Sequence, residues 1–448
     1  MSTHHVEEEA VVEPSPPFHT EKQSPNPTSL PPQAGDIDTE SGLEYDANFT
    51  YPEGGLRAWT QVLASNLLNQ IAWGYPSTFG VYQLYYTETM GLPSAQISWI
   101  GSIQVFLAFS ICIISGRLSD AGYCRHATFV GSVLAVLGTF LTSLCTEYWQ
   151  ILLAQGFCTG LGLGIMFMPG IAIVSSYFKE RRALALSIAA TGTGIGSCIF
   201  PATVNYLIPQ IGFPWAIRCQ GFLALGVAAV ANAILHPRLA PRKHGPLIEW
   251  GALREPPFVT FAAGVFFVFW ALYFSIFYIN VFARRVVGFS STDAVSLLLI
   301  LNAMGVPSRL VSGVVADRWL GPINTLILTT IFASVMVFAW IGVDSRPGMY
   351  ALTTVFGWAN GMVQGVFVGA LASLTEDPQK MGTRFGMVAT IVGFATLAGP
   401  PTAGAIIDQS GGSFLWAQVW GGIVTFIGFL TLVGARAAAT GLVWKAKL

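Results

Sequence analysis

Apolar residues fill this 448-residue chain in stretches of about twenty, and short polar intervals separate them. At about 1.5 Å of rise per residue, such a stretch makes a helix long enough to cross the hydrocarbon core of a bilayer. Twelve stretches predict twelve transmembrane helices. The first six cover residues 58–82, 95–116, 127–144, 150–176, 183–207 and 215–235; the others cover 258–281, 294–316, 323–343, 349–372, 385–407 and 414–435. Between the two sets, HPRLAPRKHGPLIEWGALREPP (residues 236–257) is basic and proline-rich and reads as a cytosolic linker. The expected architecture is all-α and integral to a membrane, with two pseudo-symmetric six-helix halves at 51–235 and 258–448.

Residues 1–50 differ in kind. They are acidic, rich in proline and serine and poor in large apolar side chains, so they read as a disordered cytosolic tail. No basic stretch followed by an apolar one occurs there, so the tail is not expected to be a signal peptide, and the first helix should act as the targeting signal.

Only 10% of the residues are charged, against about 25% in soluble domains. Where the basic ones fall sets the orientation. With the N-terminus in the cytosol, seventeen of the 22 lysines and arginines fall in cytosolic intervals. Arg284, Arg285 and Arg346 fall outside, and Arg218 and Arg309 lie within helices. Both termini are therefore expected in the cytosol. The net charge of −1 points to no nucleic-acid partner. The six cysteines lack metal-site or C-x-x-C spacing and read as packing residues, so neither metal nor cofactor is expected.

Two features repeat at near half-chain spacing. GRLSDAGYCR (116–125) and GVVADRWLGP (313–322) place Gly116 and Gly313, and Asp120 and Asp317, 197 positions apart. GFCTGLGLG and GWANGMVQG place glycines 156, 160 and 164 against 357, 361 and 365, an offset of 201. Repeats of this kind suggest an internal duplication. Glycine at every fourth position lets another backbone approach closely. The loops read as a matched pair of inter-helix latches, comprising Gly116, Arg117, Asp120 and Arg125 in one and Gly313, Asp317 and Arg318 in the other. Their aspartates stand near helix ends, where they can accept from backbone N–H groups or pair with a neighbouring arginine.

Twelve helices, cytosolic ends, a mid-chain linker and paired G-x-x-x-D loops resemble the major facilitator superfamily. PEGGLRAW (52–59), YFKERRALALSIAATGTGIG (177–196) and GTRFGM…GFATLAGPPTAGAIID resemble, more narrowly, fungal members of its monocarboxylate transporter family. The resemblance covers about residues 51–435. It implies a transporter that binds substrate between its halves, with Arg309 as the anion-binding residue. Proton-linked members of that family carry a lysine in helix 1 and an aspartate one turn before this arginine; here those positions hold Ser77 and Gly305.

An ionisable group inside a bilayer is costly and is a functional candidate by default. Arg309 lies about seven residues, roughly 10 Å, from the cytosolic end of its helix, and could bind a carboxylate or enolate, or instead snorkel to the interface. Arg218 beside Trp215 reads as an interfacial anchor. No histidine or carboxylate falls near mid-helix, so the usual proton carrier is missing. Amides are plentiful: Asn69, Gln155, Asn302, Asn360 and Gln364 are candidate substrate contacts, each equally able to serve as an interhelical hydrogen bond. Trp73, Tyr75 and Tyr273 could wall an aromatic cavity or face lipid. Pro76, Pro169, Pro201, Pro307 and Pro400–Pro401 interrupt apolar stretches, with Pro201 and Pro400 read as bending points for alternating access.

The expected function is transport of a small organic anion or amphiphilic metabolite by a protein expected to be monomeric, with efflux of a fungal secondary metabolite across the plasma membrane preferred. The alternatives are uptake of a monocarboxylate or a vitamin such as riboflavin, and a transport-inactive membrane sensor. Enzyme chemistry is not expected, because no nucleophile–base pair or carboxylate cluster is visible; no phosphate-binding glycine loop suggests an ATP-driven pump.

Overall fold

The computed structural model describes residues 51–88, 90, 94–238, 246–375, 377 and 380–441. The tail 1–50, part of the linker and the last residues lie outside the described set. Among the described residues twelve long helices succeed one another and there is no strand. They are α1 (Gly55–Glu88), α2 in two pieces (Ser94–Ser110 and Cys112–Asp120), α3 (Cys124–Thr142), α4 (Tyr148–Tyr177), α5 (Arg182–Ile211) and α6 (Phe213–Ile234). The rest are α7 (Pro256–Val287), α8 (Ser291–Val315, ending in a π-helical turn Ala316–Leu320), α9 (Pro322–Gly342), α10 (Arg346–Ser373), α11 (Met381–Gln409) and α12 (Leu415–Thr440). Most helices outrun their apolar stretches by a few residues, because polar first and last turns can lie beyond the hydrocarbon. The prolines do not end helices: α1 continues through Pro76, α5 through Pro201 and α11 through Pro400 and Pro401.

Among the described residues eleven helices are long and apolar enough to cross a membrane; α1 falls short on composition. Its Gln61, Ser65, Asn66 and Asn69 are all buried, so neighbouring helices rather than lipid surround that stretch. Buried amides are tolerated only with partners, and these have them. Asn66 Nδ2 donates to the Ile188 carbonyl and to Thr191 Oγ1, both at 2.9 Å, and Gln61 Nε2 donates to the Ile234 carbonyl at 3.1 Å.

Packing mirrors the repeat. Within the first six helices α1 lies along α5 and α2 along α4; within the last six α7 lies along α11 and α8 along α10. The two sets meet along two seams, α5 against α8 and α2 against α11. The glycine stripes make the close approaches: a Cβ on Gly164 would stand 2.7 Å from the Leu107 carbonyl of α2, and one on Gly361 2.5 Å from Gly305 Cα of α8. Near the start of α6, Arg218 Nε donates to Ser143 Oγ at 3.1 Å and its guanidinium covers the Trp215 ring at 4.7 Å.

Candidate functional site: a central cavity and its latched end

A cavity with about 540 Å³ of empty space, open solvent included, lies between the two sets and is lined from α1, α2, α4, α5, α7 and α10. Its polar groups are few: Asn69, Thr193, Gln364 and the Tyr273 hydroxyl. None of the lining residues is charged. Six of the fourteen wall residues are aromatic, and five of these rings join end to end with a sixth ring, Phe385. Trp73 (α1) stands 4.7 Å from Phe109 (α2), Phe109 6.4 Å from Phe269 (α7), and Phe269 5.3 Å from Phe367 (α10). Phe367 stands 5.6 Å from Phe385 (α11), Phe385 6.1 Å from Phe167 (α4), and Phe167 5.4 Å from Trp73 again. Every step lies within the range of favourable ring pairs. Six helices thus contribute one ring each to a closed belt, which crosses between the helix sets at Phe109–Phe269 and at Phe167–Phe385.

Of the candidate contacts, Asn69, Trp73, Tyr273 and Gln364 line the cavity. Arg309 does not. It is 2% exposed and stands behind Gln364, donating from Nη2 to Gln364 Oε1 at 2.8 Å and from Nη1 to the Gly305 carbonyl at 2.7 Å. Gln364 Nε2 donates in turn to Asn360 Oδ1 at 2.9 Å, so Asn360 is a support one layer out. Asn302 donates to the Leu298 carbonyl on the α5 seam. Tyr75 faces the other way, edge-on to Phe200, and Gln155 accepts from the Tyr86 hydroxyl at 2.8 Å. Sequence reasoning missed Phe109, Phe167, Phe367 and Thr193, since a phenylalanine facing a cavity and one facing lipid read alike. One signal was available: Phe167 and Phe367 come just after the repeated glycine stripes of α4 and α10.

Past the belt, one end of the bundle is held by two carboxylates. Asp120, 9% exposed at the end of α2, accepts from Gly382 N at 3.0 Å and from Thr383 N at 2.7 Å and Oγ1 at 2.6 Å, in the first turn of α11. Asp317, at the end of α8, accepts from Ala183 N at 3.1 Å and Leu184 N at 2.7 Å, in the first turn of α5. Each aspartate of one helix set thus caps a helix of the other. The unpaired N–H groups and partial positive charge of a helix start make this a favourable place for a carboxylate. Glycine is what allows it: a Cβ on Gly116 would fall on the Gly382 carbonyl oxygen, and one on Gly313 would stand 2.6 Å from Ser187 Cβ. Arg125 and Arg318 are exposed, while Arg182 Nη1 crosses to the Ala372 carbonyl at 3.1 Å. Pro201 is buried in α5, and the Pro400 carbonyl accepts from the Tyr278 hydroxyl at 3.3 Å.

The linker reaches this end as well. Glu249 binds Lys380 and Arg384 at 3.1 Å each, and Glu255 takes Arg384 at 2.5 Å. Partial burial works to raise the Glu249 carboxyl, but its bonds to Arg384 and Lys380 outweigh that and hold it below the usual range. Glu53, in the motif before α1, accepts from the backbone N–H groups of Lys179 and Glu180 at 2.6 and 2.9 Å.

The family profile described as "Major Facilitator Superfamily" matches residues 62–367. An "MFS-type transporter" of Gibberella zeae is 36% identical, covering 94% of this chain and 95% of that protein. The "Aspyridones efflux protein apdF" of Emericella nidulans is 32% identical over 86% of this chain and 79% of that one; the "Agnestins efflux protein AgnL12" of Paecilomyces divaricatus is 30% identical over 94% and 95%. Among solved structures, the human organic anion transporter MFSD10 superposes with a TM-score of 0.66 at 15% identity, over 84% of this chain and 99% of that one, a likeness of fold. Profile, relatives and architecture agree: this chain is an integral membrane transporter, not an enzyme, and it belongs to the major facilitator superfamily.

Proposed function

We propose that the protein exports a small organic metabolite, an anion or an amphiphile, by alternating access of its central cavity. The moving bodies are two six-helix halves, residues 51–235 and 258–448, tied by the linker. The termini and the latched end lie in the cytosol, and the membrane is the plasma membrane. The observation that carries this reading is the pair of reciprocal carboxylate caps beside the cavity. They join the halves at one end through hydrogen bonds to backbone N–H groups, and the Arg182–Ala372 bond crosses at the same end, so breaking these contacts lets the cavity face that side without disturbing either half. The basic residues Arg117, Arg125, Lys179, Arg181 and Arg318 in the loops at that end support the cytosolic assignment. The names of the Emericella and Paecilomyces relatives support efflux. The PEGGLRAW and YFKERRALALS stretches support a place in the fungal monocarboxylate porter branch, and the missing acidic and lysine positions set it apart from lactate-type proton symport.

Comparing metabolites inside and outside producing cells, with and without the gene, tests the reading. Export predicts that at least one compound builds up inside when the gene is lost, and that inside-out vesicles carrying the protein accumulate it. An unchanged distribution in cells, together with vesicles that take up nothing, would leave a sensor as the better reading.

A further inference from the structure

The belt and the few polar groups on the cavity wall specify more than a small metabolite. Building on the transport reading and narrowing it, we infer that the substrate is a planar conjugated molecule carrying an enol or phenol. Its rings lie against the aromatic belt, and its oxygen is received by the side-chain amide of Gln364.

The wall selects flat molecules. Five belt rings, Trp73, Phe109, Phe167, Phe269 and Phe367, line the cavity, and three of them come from one helix set and two from the other. A saturated body of the same area would gain the burial but lose the ring-pair geometry that adds to it. A flat ring can also replace the Phe109–Phe269 contact, 6.4 Å between centroids, when the helix sets separate, so that a loaded belt loses less than an empty one.

The polar groups select one oxygen. Asn69 Nδ2 is already donated to the Ser65 carbonyl at 2.8 Å, and Asn69 Oδ1 faces Thr193 Oγ1 at 3.5 Å. Gln364 is held on both sides: its Oε1 by Arg309 and one hydrogen of its Nε2 by Asn360. The amide therefore cannot flip, and its second N–H remains for the cavity. With the Tyr273 hydroxyl as the other donor on this wall, one fixed amide N–H suits a single oxygen; a carboxylate, with about four lone-pair sites on two oxygens, would leave about half of them unmet among phenyl rings.

The charge behind the amide selects sign. Arg309 is 2% exposed, forms no ion pair among the described residues, and leaves its Nε without a partner. A buried cation this close, with no carboxylate on the wall, favours an oxygen bearing full or partial negative charge and repels a cationic substrate. Arg309 acts here as a positioning residue, through Gln364, rather than as a direct contact.

Titration calorimetry on the full chain in nanodiscs tests this with four probes: 7-hydroxycoumarin, 7-methoxycoumarin, cyclohexanecarboxylate and N-methylquinolinium. The expected order places 7-hydroxycoumarin about tenfold or more ahead of cyclohexanecarboxylate, with N-methylquinolinium not bound. Phe109→Leu and Phe367→Leu keep apolar bulk and should each weaken 7-hydroxycoumarin about three- to tenfold while sparing cyclohexanecarboxylate. Gln364→Leu should abolish the preference for hydroxyl over methoxy, and Arg309→Gln should reduce that ratio, which a merely structural role would leave alone. Melting profiles of the variants separate misfolding from lost recognition. Equal or tighter binding of cyclohexanecarboxylate, a hydroxyl preference untouched by Gln364→Leu, or no binding of either coumarin by folded protein would overturn the inference. Flux of the same probes in proteoliposomes keeps the two readings apart. Coumarin binding in this pattern without any flux removes transport but not the site; gene-dependent export of metabolites without aromatic preference removes the site but not transport.

Discussion

Asp120→Ala should open the latched end of the bundle. The substitution removes the acceptor for three donors in the first turn of α11: Gly382 N, Thr383 N and Thr383 Oγ1. In the closed state the two backbone N–H groups would then be buried without partners, each at a cost of about 1–3 kcal/mol. When the end opens they are hydrated, so the cost falls on the closed state alone. The hydroxyl can rotate to another acceptor and adds nothing. Taking about 1.5 kcal/mol for each N–H, since Asp120 is 9% exposed and water can partly replace it, the closed state loses about 3 kcal/mol. That lowers the closed-to-open ratio about 150-fold. A population starting at about 99% closed would fall to roughly 40%. Spin labels at Tyr123 and Trp319, both exposed and on opposite helix sets at this end, report the change as a longer distance in pulsed resonance measurements. Asp120→Asn keeps one acceptor oxygen and should fall between. Asp344→Asn, at an exposed loop position, should behave as native. A native distance distribution in Asp120→Ala would refute the latch.

Gly116→Ala places a methyl group on the Gly382 carbonyl oxygen, where neither backbone can yield, so it should also favour the open end and slow turnover; Gly226→Ala, with nothing within 4 Å of its added Cβ, should be neutral in the same flux assay. Asp120→Ala and Asp317→Ala share no partner, so their effects on one closing equilibrium should add within about 0.5 kcal/mol, read from the same label pair. Glu249 has a folded-state pKa below its ordinary value, so its contribution to docking the linker is fully present above the ordinary carboxylate range of about 4.3 and is lost only as pH falls through the lowered value. A mobility label at exposed Trp250 should therefore stay immobile from about pH 5 to 8, whereas Glu249→Gln should release it at neutral pH.

The fold was largely legible because apolar length and a duplicated glycine pattern are set by the bilayer and by backbone contact. α1, read from the sequence as a helix at 58–82, is too polar in composition to pass as a membrane span on its own, for a reason that lies in three dimensions: Asn66 and Gln61 are satisfied by α5 and α6, and no local pattern announces a distant carbonyl. The site was legible in part. Gln364 and Asn69 stood out because an amide within an apolar helix needs a partner, though Gln155, Asn302 and Asn360 stood out equally, and Trp73 and Tyr273 because they are large. Arg309 stood out for its charge, yet its position behind Gln364 depends on the rotation of α8 against α10, which the glycines of both helices set and which spacing along one helix does not reveal. The belt was invisible, since its closure is a property of six helices at once.

The start of α11 is where the latch, the linker and the belt meet. Thr383 is bound by Asp120, Arg384 by Glu249 and Glu255, and Phe385, fully buried, touches the rings of Phe167 and Phe367. Three consecutive residues on a helix point in three directions, about 100° apart, so one rigid turn can hold all three contacts together. A rigid turn cannot release one of them and keep the others in place. Loss of the Asp120 cap should therefore loosen the Phe385 ring in the belt, and Phe385→Leu should in turn cost less closure in the Asp120→Ala background than in the native one. Independent contacts would instead give additive effects. A double-mutant cycle on the Tyr123–Trp319 label pair decides between the two: coupling of about 0.5 kcal/mol or more is expected for residues sharing one turn. Additivity would mean that the first turn of α11 bends, and that the latch can open while the belt stays shut.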